Sequence, residues 1–382
     1  MNNKPLISII IPCRNEGRYI GKCLDSIIAQ DYPNPHPLPP PQVGREGGRG
    51  SIEVLVVDGM SEDGTREIVG KYTDMSLRGA VVTKQPQESN GLPRSFQSLA
   101  MTIKLLDDPK KITPAAFNLG IKDSKGRVIM IISAHATYEE RYVSKCVKYL
   151  NEYNADNVGG RMVTLPRDNS FIGKAIVSVL SHPFGVGNSV FRVGARQPKW
   201  VDTVFGGCYK KEVFERIGFF NESLISSQDI EFNLRLKRAG GKTLFVPEII
   251  SYYYTRSDFK SFCKNNFRNG LWAILPFKFT KIMPVSLRHL IPFIFVLSLV
   301  GTGILSFFFL PFLWLFLFVI GSYSLTNIYF SIKIALKKKN IKYLFMMPFL
   351  FLSLHLGYGL GSIWGAIKLL VLKEVRRKGD MK

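Results

Sequence analysis

The side chains able to do chemistry sit in four short stretches. Cys13-Arg14-Asn15-Glu16 follows the aliphatic run Leu6–Ile11; Asp58 ends the run Ile52–Val57 and opens the turn Asp58-Gly59-Met60-Ser61-Glu62-Asp63-Gly64; Ser133-Ala134-His135 follows Arg127–Ile132. The fourth is Ser-Gln-Asp-Ile-Glu, with Asp229 and Glu231 two positions apart. Each of the first three closes a strand-like run at its carboxyl end, the edge of an open α/β sheet where ligands bind. There an ionised carboxylate such as Asp58 accepts hydrogen bonds without a competing donor, and His135 can ligate a metal through one nitrogen. Plainer readings stand beside these. Asp and Gly favour turns of the DGxSxDG kind by themselves. Ser226-x-x-Asp229 loosely fits a capping box, and Asp is favoured near a helix start by the dipole. On a helix, Asp229 and Glu231 point in opposed directions, so one ligand does not meet both. No G-x-G-x-x-G follows the first strand and no G-x-x-x-x-G-K-[ST] occurs, which argues against a Rossmann dehydrogenase or a P-loop nucleotidase.

The elements that must position these residues are legible as a pattern. Residues 6 to about 255 alternate strand-like and helix-like segments, predicting an α/β domain with a largely parallel sheet. Leu6–Ile11 is continuously aliphatic, as a strand buried on both faces is. Asn15 can cap the helix that follows, where Tyr19, Ile20, Cys23, Leu24, Ile27 and Ile28 recur at helical spacing. A helix is expected from Thr65, and Val81–Thr83 reads as the start of another strand. Two insertions interrupt the pattern, a Pro- and Gly-rich one at 33–50 and a second at 85–103.

The net charge of +22 over 382 residues suggests a polyanion partner until it is read by position. From Arg256 onward there are 18 basic residues against 3 acidic ones, and they flank two uncharged stretches, 289–332 and 343–367. Basic residues beside apolar runs of about 20 residues or more mark membrane spans and their cytoplasmic edges. A hairpin turning near Leu310-Pro311 is expected, with helices at about 290–310, 312–332 and 343–367. If the third segment also spans, the basic tail 373–382 falls on the far side, against the positive-inside tendency; a re-entrant or interfacial segment around Gly357, Gly359 and Gly361 removes the conflict. A nucleic-acid partner is not expected, since no basic cluster with interleaved aromatics occurs away from these flanks. The N-terminal aliphatic run is cut short by Pro12 and Arg14 and does not read as a signal peptide. Five scattered cysteines without CxxC spacing point to a reducing compartment.

Six blocks in order, SIIIPCRNEGRYIGKCLDSI, IEVLVVDGMSEDGTREIV, ITPAAFNLGI, GRVIMIISAHATY, VDTVFGGCYKKEVFERIGFFNESL and SSQDIEFNLRLKRAGG, resemble the family 2 glycosyltransferases of GT-A fold, in particular the succinoglycan-type, ExoA-like membrane enzymes. The resemblance covers roughly residues 6 to 290. It implies a GT-A domain with a mixed, mostly parallel sheet over 1–255, an interfacial basic segment over 256–289, and a transmembrane region of two or three helices over 290–372. It also implies an inverting hexosyltransferase that moves a sugar from a nucleotide-diphosphate donor, UDP-linked, to an acceptor hydroxyl with the help of a divalent metal, Mg²⁺ or Mn²⁺.

Carried over by position, the resemblance puts Pro12, Arg14 and Glu16 along the nucleotide, Asp58 on the N–H of the base, and Asn118 near the ribose or diphosphate. It puts Gly206 and Gly207 beneath the donor sugar, where close approach needs no side chain, and Arg268 and Trp272 near the diphosphate and acceptor. Asp229 matches the catalytic base. Asn118 equally fits a helix-terminal hydrogen bond, Asp202 a loop hydrogen bond, and Arg268 a membrane-interface cation. The third strand departs from the family: its outer metal-holding positions are Ser133 and His135, and a Ser hydroxyl is a poor replacement for a carboxylate toward Mg²⁺ or Mn²⁺. The resulting expectation is a cytoplasm-facing integral membrane enzyme that adds a sugar to a lipid-linked acceptor in surface glycan synthesis, with Lys260, Lys264 and Arg268 drawn to the lipid pyrophosphate. A polyprenyl-phosphate glycosyltransferase and a catalytically silent scaffold are the alternatives.

Overall fold

The structure is a computed structural model that describes residues 6–32, 52–82, 101–279 and 285–379. In chain order its elements are β1 (Ile7–Cys13), α1 (Ile20–Ile28), β2 (Ile52–Asp58), α2 (Thr65–Val82), β3 (Met101–Asp107), α3 (Thr113–Asp123), β4 (Val128–Ile131), β5 (Ala136–Tyr138), α4 (Tyr142–Glu152), β6 (Asn157–Pro166), α5 (Phe171–Leu180), α6 (Pro183–Val186), α7 (Val190–Val193), β7 (Lys199–Trp200), β8 (Gly207–Lys210), α8 (Glu212–Ile217), α9 (Gln228–Arg238), β9 (Thr243–Thr255), α10 (Phe259–Ile274), α11 (Ile291–Leu305), α12 (Leu310–Lys338) and α13 (Lys342–Gly379). They form two compact units, Met1–Val163 with Gly194–Tyr253, and Thr164–Val193 with Tyr254–Lys382.

The sheet order is β3-β2-β1-β4-β8-β6-β9-β5, with β7 on β9. Its site-bearing half is parallel: β1 lies between β2 and β4, and β2 pairs with β3. The rest is antiparallel, β4 and β6 to β8 and β5 and β7 to β9. β1 and β2 are apolar at nearly every position because both faces are covered. Alternate side chains serve different layers. Ile7, Ile9 and Ile11 join α1 and α4 in one cluster, while Ile10, Leu55 and Val57 join Phe117 and Ile121 of α3 and Phe232 of α9 in the other. Each such Ile contributes about 1.5–3 kcal/mol by leaving water.

Two readings change here. Val81 and Val82 end α2 instead of opening a strand, because the parallel partner of β2 is β3. Residues 101–103 are not insertion: Met101 and Ile103 are buried as the first inward positions of β3. The rest of the second insertion, 85–100, and the Pro/Gly insertion at 33–50 lie outside the described residues.

The second unit is helical. It takes in residues 164–193, which sequence reading grouped with the sheet, because Ala175, Ile176 and Val179 of α5 are buried with Phe262 of α10 and Met347, Leu350 and Phe351 of α13. α10 and α13 touch backbone to backbone: a Cβ on Gly270 would stand 1.8 Å from the Tyr358 carbonyl oxygen, and one on Gly361 2.1 Å from that of Phe267. Ser362 seals the contact by donating to the Gly270 carbonyl at 3.0 Å. Among the described residues, three helical segments, Arg288–Leu305, Leu310–Lys338 and Lys342–Val371, are long and apolar enough to cross a membrane.

In the first unit α3 approaches β1 closely enough that a Cβ on Gly120 would meet Ile10 Cγ2 at 2.6 Å. Gly120→Ala is therefore expected to overpack the layer and destabilise the unit by about 1–3 kcal/mol. Thermal unfolding checks this, and a midpoint at or above that of the parent would contradict the packing described.

Candidate functional site

The register Cys13↔Asp58↔Asp107 brings the ends of β1, β2 and β3 level, and Ile10↔Ile131 places the β4 end beside them. At this edge opens a cavity of about 310 Å³. Its wall includes Pro12, Arg14 and Glu16 after β1, Ser133 and His135 after β4, Gly206 before β8, and Gln228 and Asp229 at the start of α9. Seven sequence-predicted positions, scattered from residue 12 to 229, thus share one hollow of the first unit, with Gly207 next in sequence to Gly206.

Asp58 is placed differently. It is fully buried, and both oxygens are engaged: one accepts from the Ser61 hydroxyl and, at 3.6 Å, from the Cys13 thiol; the other accepts from the Ser61 amide at 2.9 Å and from Arg66 at 2.8 Å. Burial alone would push its carboxyl up, but the Ser61 and Arg66 bonds outweigh that and hold it below the ordinary carboxylate range. Burial and the Asp58 charge push the Cys13 thiol up, so it stays a neutral donor. The DGxSxDG segment does act as a turn, stitched to the β1 loop. The Asn15 amide donates to Ser61 at 2.8 Å, the Glu62 amide to Asn15 at 3.0 Å, and the Gly17 amide to Asp63 at 3.0 Å. For Asp58 to receive the N–H of a base, one of its four donors must give way.

Asn118 does not face the cavity. Midway along α3, it donates to the Phe220 carbonyl at 2.9 Å and accepts from the Phe220 amide at 2.9 Å, with Glu222 as a further acceptor at 3.0 Å. This clamp holds the loop that leads to Asp229, so neither the ribose nor a helix terminus is its partner. Asp202 pairs with Lys237 at 2.6 Å. Glu231 pairs with Arg235, whose guanidinium also holds the Phe219 carbonyl, leaving Asp229 as the α9 carboxylate on the cavity. The loose capping box is not formed: α9 begins after Ser227, which has φ 63° and makes no side-chain cap bond. Arg268 and Trp272 lie on α10 of the second unit, where Arg268 is exposed and bonds Asn265 at 3.4 Å.

Gly206 and Gly207 have φ +67° and +143°, conformations open to glycine. A Cβ on Gly206 would meet the Ile131 carbonyl oxygen at 2.5 Å, and one on Gly207 the Tyr209 ring at 2.4 Å. His135 is fixed by Glu16, its Nδ1 lying 2.9 Å from the carboxylate, and by Tyr253 across an edge contact of 5.0 Å. A carboxylate on one imidazole nitrogen is how ligating histidines are oriented, with the other nitrogen left to act. No group of three His, Cys, Asp or Glu that could cage a metal occurs among the described residues. The residues fit instead a cation whose coordination is completed by substrate phosphates, as is usual for Mg²⁺.

Sequence reading missed three wall residues. Asp108, buried, accepts from the Lys110 and Ile112 amides and gives its own amide to the Asp58 carbonyl at 2.8 Å, which pins the loop before α3. This presents Lys111 in a left-handed conformation, φ 57°, on the cavity wall; its neighbour Lys110 is tied to Glu222, whereas Lys111 has no ion-pair partner among the described residues. Gln228, beside Asp229, has a buried side-chain oxygen without a hydrogen-bond partner. The Asp-Pro-Lys-Lys turn just before a Thr-Pro helix start was the signal for the first two; nothing in the sequence marked Gln228.

A mixed sheet whose parallel half opens a ligand-sized cavity at its carboxyl edge, lined by Gly206 and by a carboxylate at a helix start, fits the GT-A glycosyltransferase class that the sequence resembles. The comparisons agree. The description "Glycosyl transferase family 2" matches residues 8–218, and "Glycosyl transferase family group 2" matches 128–358. The chain belongs to glycosyl transferase family 2 and is a glycosyltransferase. It is 29% identical over 314 residues, 77% of this chain and 85% of the other, to the dolichyl N-acetyl-alpha-D-glucosaminyl phosphate 3-beta-D-2,3-diacetamido-2,3-dideoxy-beta-D-glucuronosyltransferase of Methanococcus voltae. It is 25% identical over 313 residues, 78% and 81%, to the succinoglycan biosynthesis protein ExoA of Rhizobium meliloti. A solved mannosyltransferase from Pyrobaculum calidifontis, in complex with GDP-Man and Mn²⁺, shares the fold over 94% of this chain and 88% of its own, with a TM-score of 0.55 at 19% identity.

The Asp58 knot carries a pH dependence. A depressed native pKa means stability that is present above the unfolded carboxylate pKa of about 3.9 and is lost as pH falls through the native value. Asp58→Asn should therefore lower the unfolding midpoint at pH 7, with the gap closing as the pH is taken below about 4. A gap that stays constant with pH would show that the Asp58 charge is not what the turn depends on.

Proposed function

We propose that the first-unit cavity holds the diphosphate and sugar of a nucleotide-sugar donor, UDP-linked, and that Asp229 is the base of an inverting transfer. The observation that carries this is the convergence of Asp229, two cations and a carboxylate-held imidazole on one cavity wall at the sheet's carboxyl edge. Asp229 takes the proton of the acceptor hydroxyl while that oxygen attacks the anomeric carbon. The bond from that carbon to the diphosphate breaks on the opposite face, and its electron pair leaves with the diphosphate. Arg14 and Lys111 supply positive charge where the leaving group gathers negative charge. Gly206 and Gly207 let the sugar approach the backbone, and the Gln228 amide oxygen is positioned to accept from a sugar hydroxyl.

A divalent metal, Mg²⁺ or Mn²⁺, would be held by His135 with the Ser133 hydroxyl beside it, Glu16 setting the ring orientation. When bound, it would neutralise diphosphate charge. With no carboxylate at Ser133, the side-chain cations take a larger share of that work. The acceptor is a hydroxyl of a lipid-linked sugar. The three apolar helices support a membrane location, the Methanococcus relative is named for acting on a dolichyl-linked sugar phosphate, and Lys260, Lys264 and Arg268 offer charge to a lipid phosphate. Five free cysteines suit a catalytic unit facing the reducing cytoplasm. The 1–255, 256–289 and 290–372 division is kept as a functional one, catalysis, interface and membrane.

Asp229→Asn is expected to lower kcat about 10²–10⁴-fold while leaving nucleotide affinity within about twofold. Turnover at the parental rate in purified protein would remove Asp229 from the mechanism. Lys111→Met should raise the Kd for UDP about tenfold or more and leave that for uridine unchanged. An equal loss for both would place Lys111 away from the diphosphate.

A further inference from the structure

The apolar hairpin of the second unit is finished in an unusual way at its turn. No charged residue lies between Arg288 and Lys333. The helical stretch Arg288–Leu305 has 18 residues, about 27 Å at 1.5 Å per residue, just short of a hydrocarbon core of about 30 Å. The turn that follows is Ser306-Phe307-Phe308-Phe309. Phe307 is 86% exposed and Phe308 74%, with Leu310 at 65% and Trp314 at 67% on the next helix. A turn that emerges into water is ordinarily built from Gly, Asn, Asp, Ser or Pro; this one presents aromatic rings.

The amides of this turn are satisfied without water. Irregular chain in hydrocarbon is costly because its polar groups find no partner, yet every amide from Ser306 to Phe309 is bonded within the hairpin. Ser306 donates to Thr302 at 2.9 Å, Phe307 to Ile304 at 3.3 Å, Phe308 to Leu305 at 3.0 Å and Phe309 to Leu305 at 2.9 Å. The Ser306 hydroxyl donates to the Gly303 carbonyl at 2.7 Å, and Pro311 has no amide hydrogen to satisfy. Farther down, the Thr302 and Thr326 hydroxyls donate to carbonyls of their own helices. At the opposite end the character reverses. Arg288 precedes α11, Lys333, Lys337, Lys338 and Lys339 close α12, and Lys342 opens α13. There Ile334 and Ala335 are buried with α5 and α13, so only the earlier part of α12 is left for lipid.

We propose that α11 and α12 form a hairpin inserted from one side of the bilayer, its Phe307–Phe309 turn remaining in the hydrocarbon and its basic ends lying together among anionic headgroups on the side of entry. Aromatic tip, bonded turn amides and one-ended charge then have a single cause.

Phe308→Cys and Lys338→Cys, each in the full chain, are reconstituted into sealed phosphatidylglycerol vesicles. Each is treated with a membrane-impermeant maleimide added outside or trapped inside, and modification is read by peptide mass at the substituted position. The thiol of the Phe308→Cys variant is expected to react only after detergent is added, with an increase of about tenfold. That of the Lys338→Cys variant is expected to react from the face that also exposes the catalytic unit to protease. Reaction of the Phe308→Cys thiol from the opposite face, without detergent, overturns the proposal. Ser306→Cys, in the same turn, gives the same two outcomes if the Phe308 variant aggregates.

Discussion

Parallel pairing of β1 with β2 on one side and β4 on the other is the constraint on which the site depends. Because Cys13 sits opposite Asp58 and Ile10 opposite Ile131, three loops distant in sequence must leave the sheet at one edge. A slip of one residue would turn Ile9 and Ile11 into the layer that Ile10 fills and carry Glu16 away from His135. The two apolar layers hold the register by burying opposite sets of side chains from the same strand. Site geometry is thus a consequence of core packing.

Charge at that edge is managed by pairing. Asp58 is closed into a four-donor knot that sets the β2 turn, Asp108 caps the next loop, and Glu16 holds an imidazole. Buried carboxylates are tolerable when hydrogen bonds satisfy them. Asp58, Asp108 and Glu16 therefore serve as scaffolding, while Asp229 and the cations Arg14 and Lys111 line the same cavity.

Much of this was legible in the sequence, and the rest was hidden for identifiable reasons. Continuous aliphatic runs marked β1, β2 and β4, and the polar residues ending them marked the cavity, because burial on both faces and ligand binding at the carboxyl edge leave local signals. The role of Asn118 was not local: its partner Phe220 is 102 residues away. Asp58 was readable as a turn-former, but only the fold shows that four donors already surround it. Val81 and Val82 looked like strand by composition and are helix because α2 continues through them. Residues 164–193 read as part of an alternating α/β pattern, yet α5 finds its apolar partners on α10 and α13, more than 80 residues downstream. Helix content was visible there; the choice of partner was not.

The central claim is that the carboxyl edge of β1, β2 and β4 is where a nucleoside diphosphate binds. Amide hydrogen exchange of the full chain in detergent, with and without saturating UDP or GDP and Mn²⁺, measures this directly. Protection is expected to concentrate in residues 13–17, 59–63, 108–113 and 133–136. Saturating nucleotide that protects none of these segments, or protects only the helices of the second unit, would contradict the account.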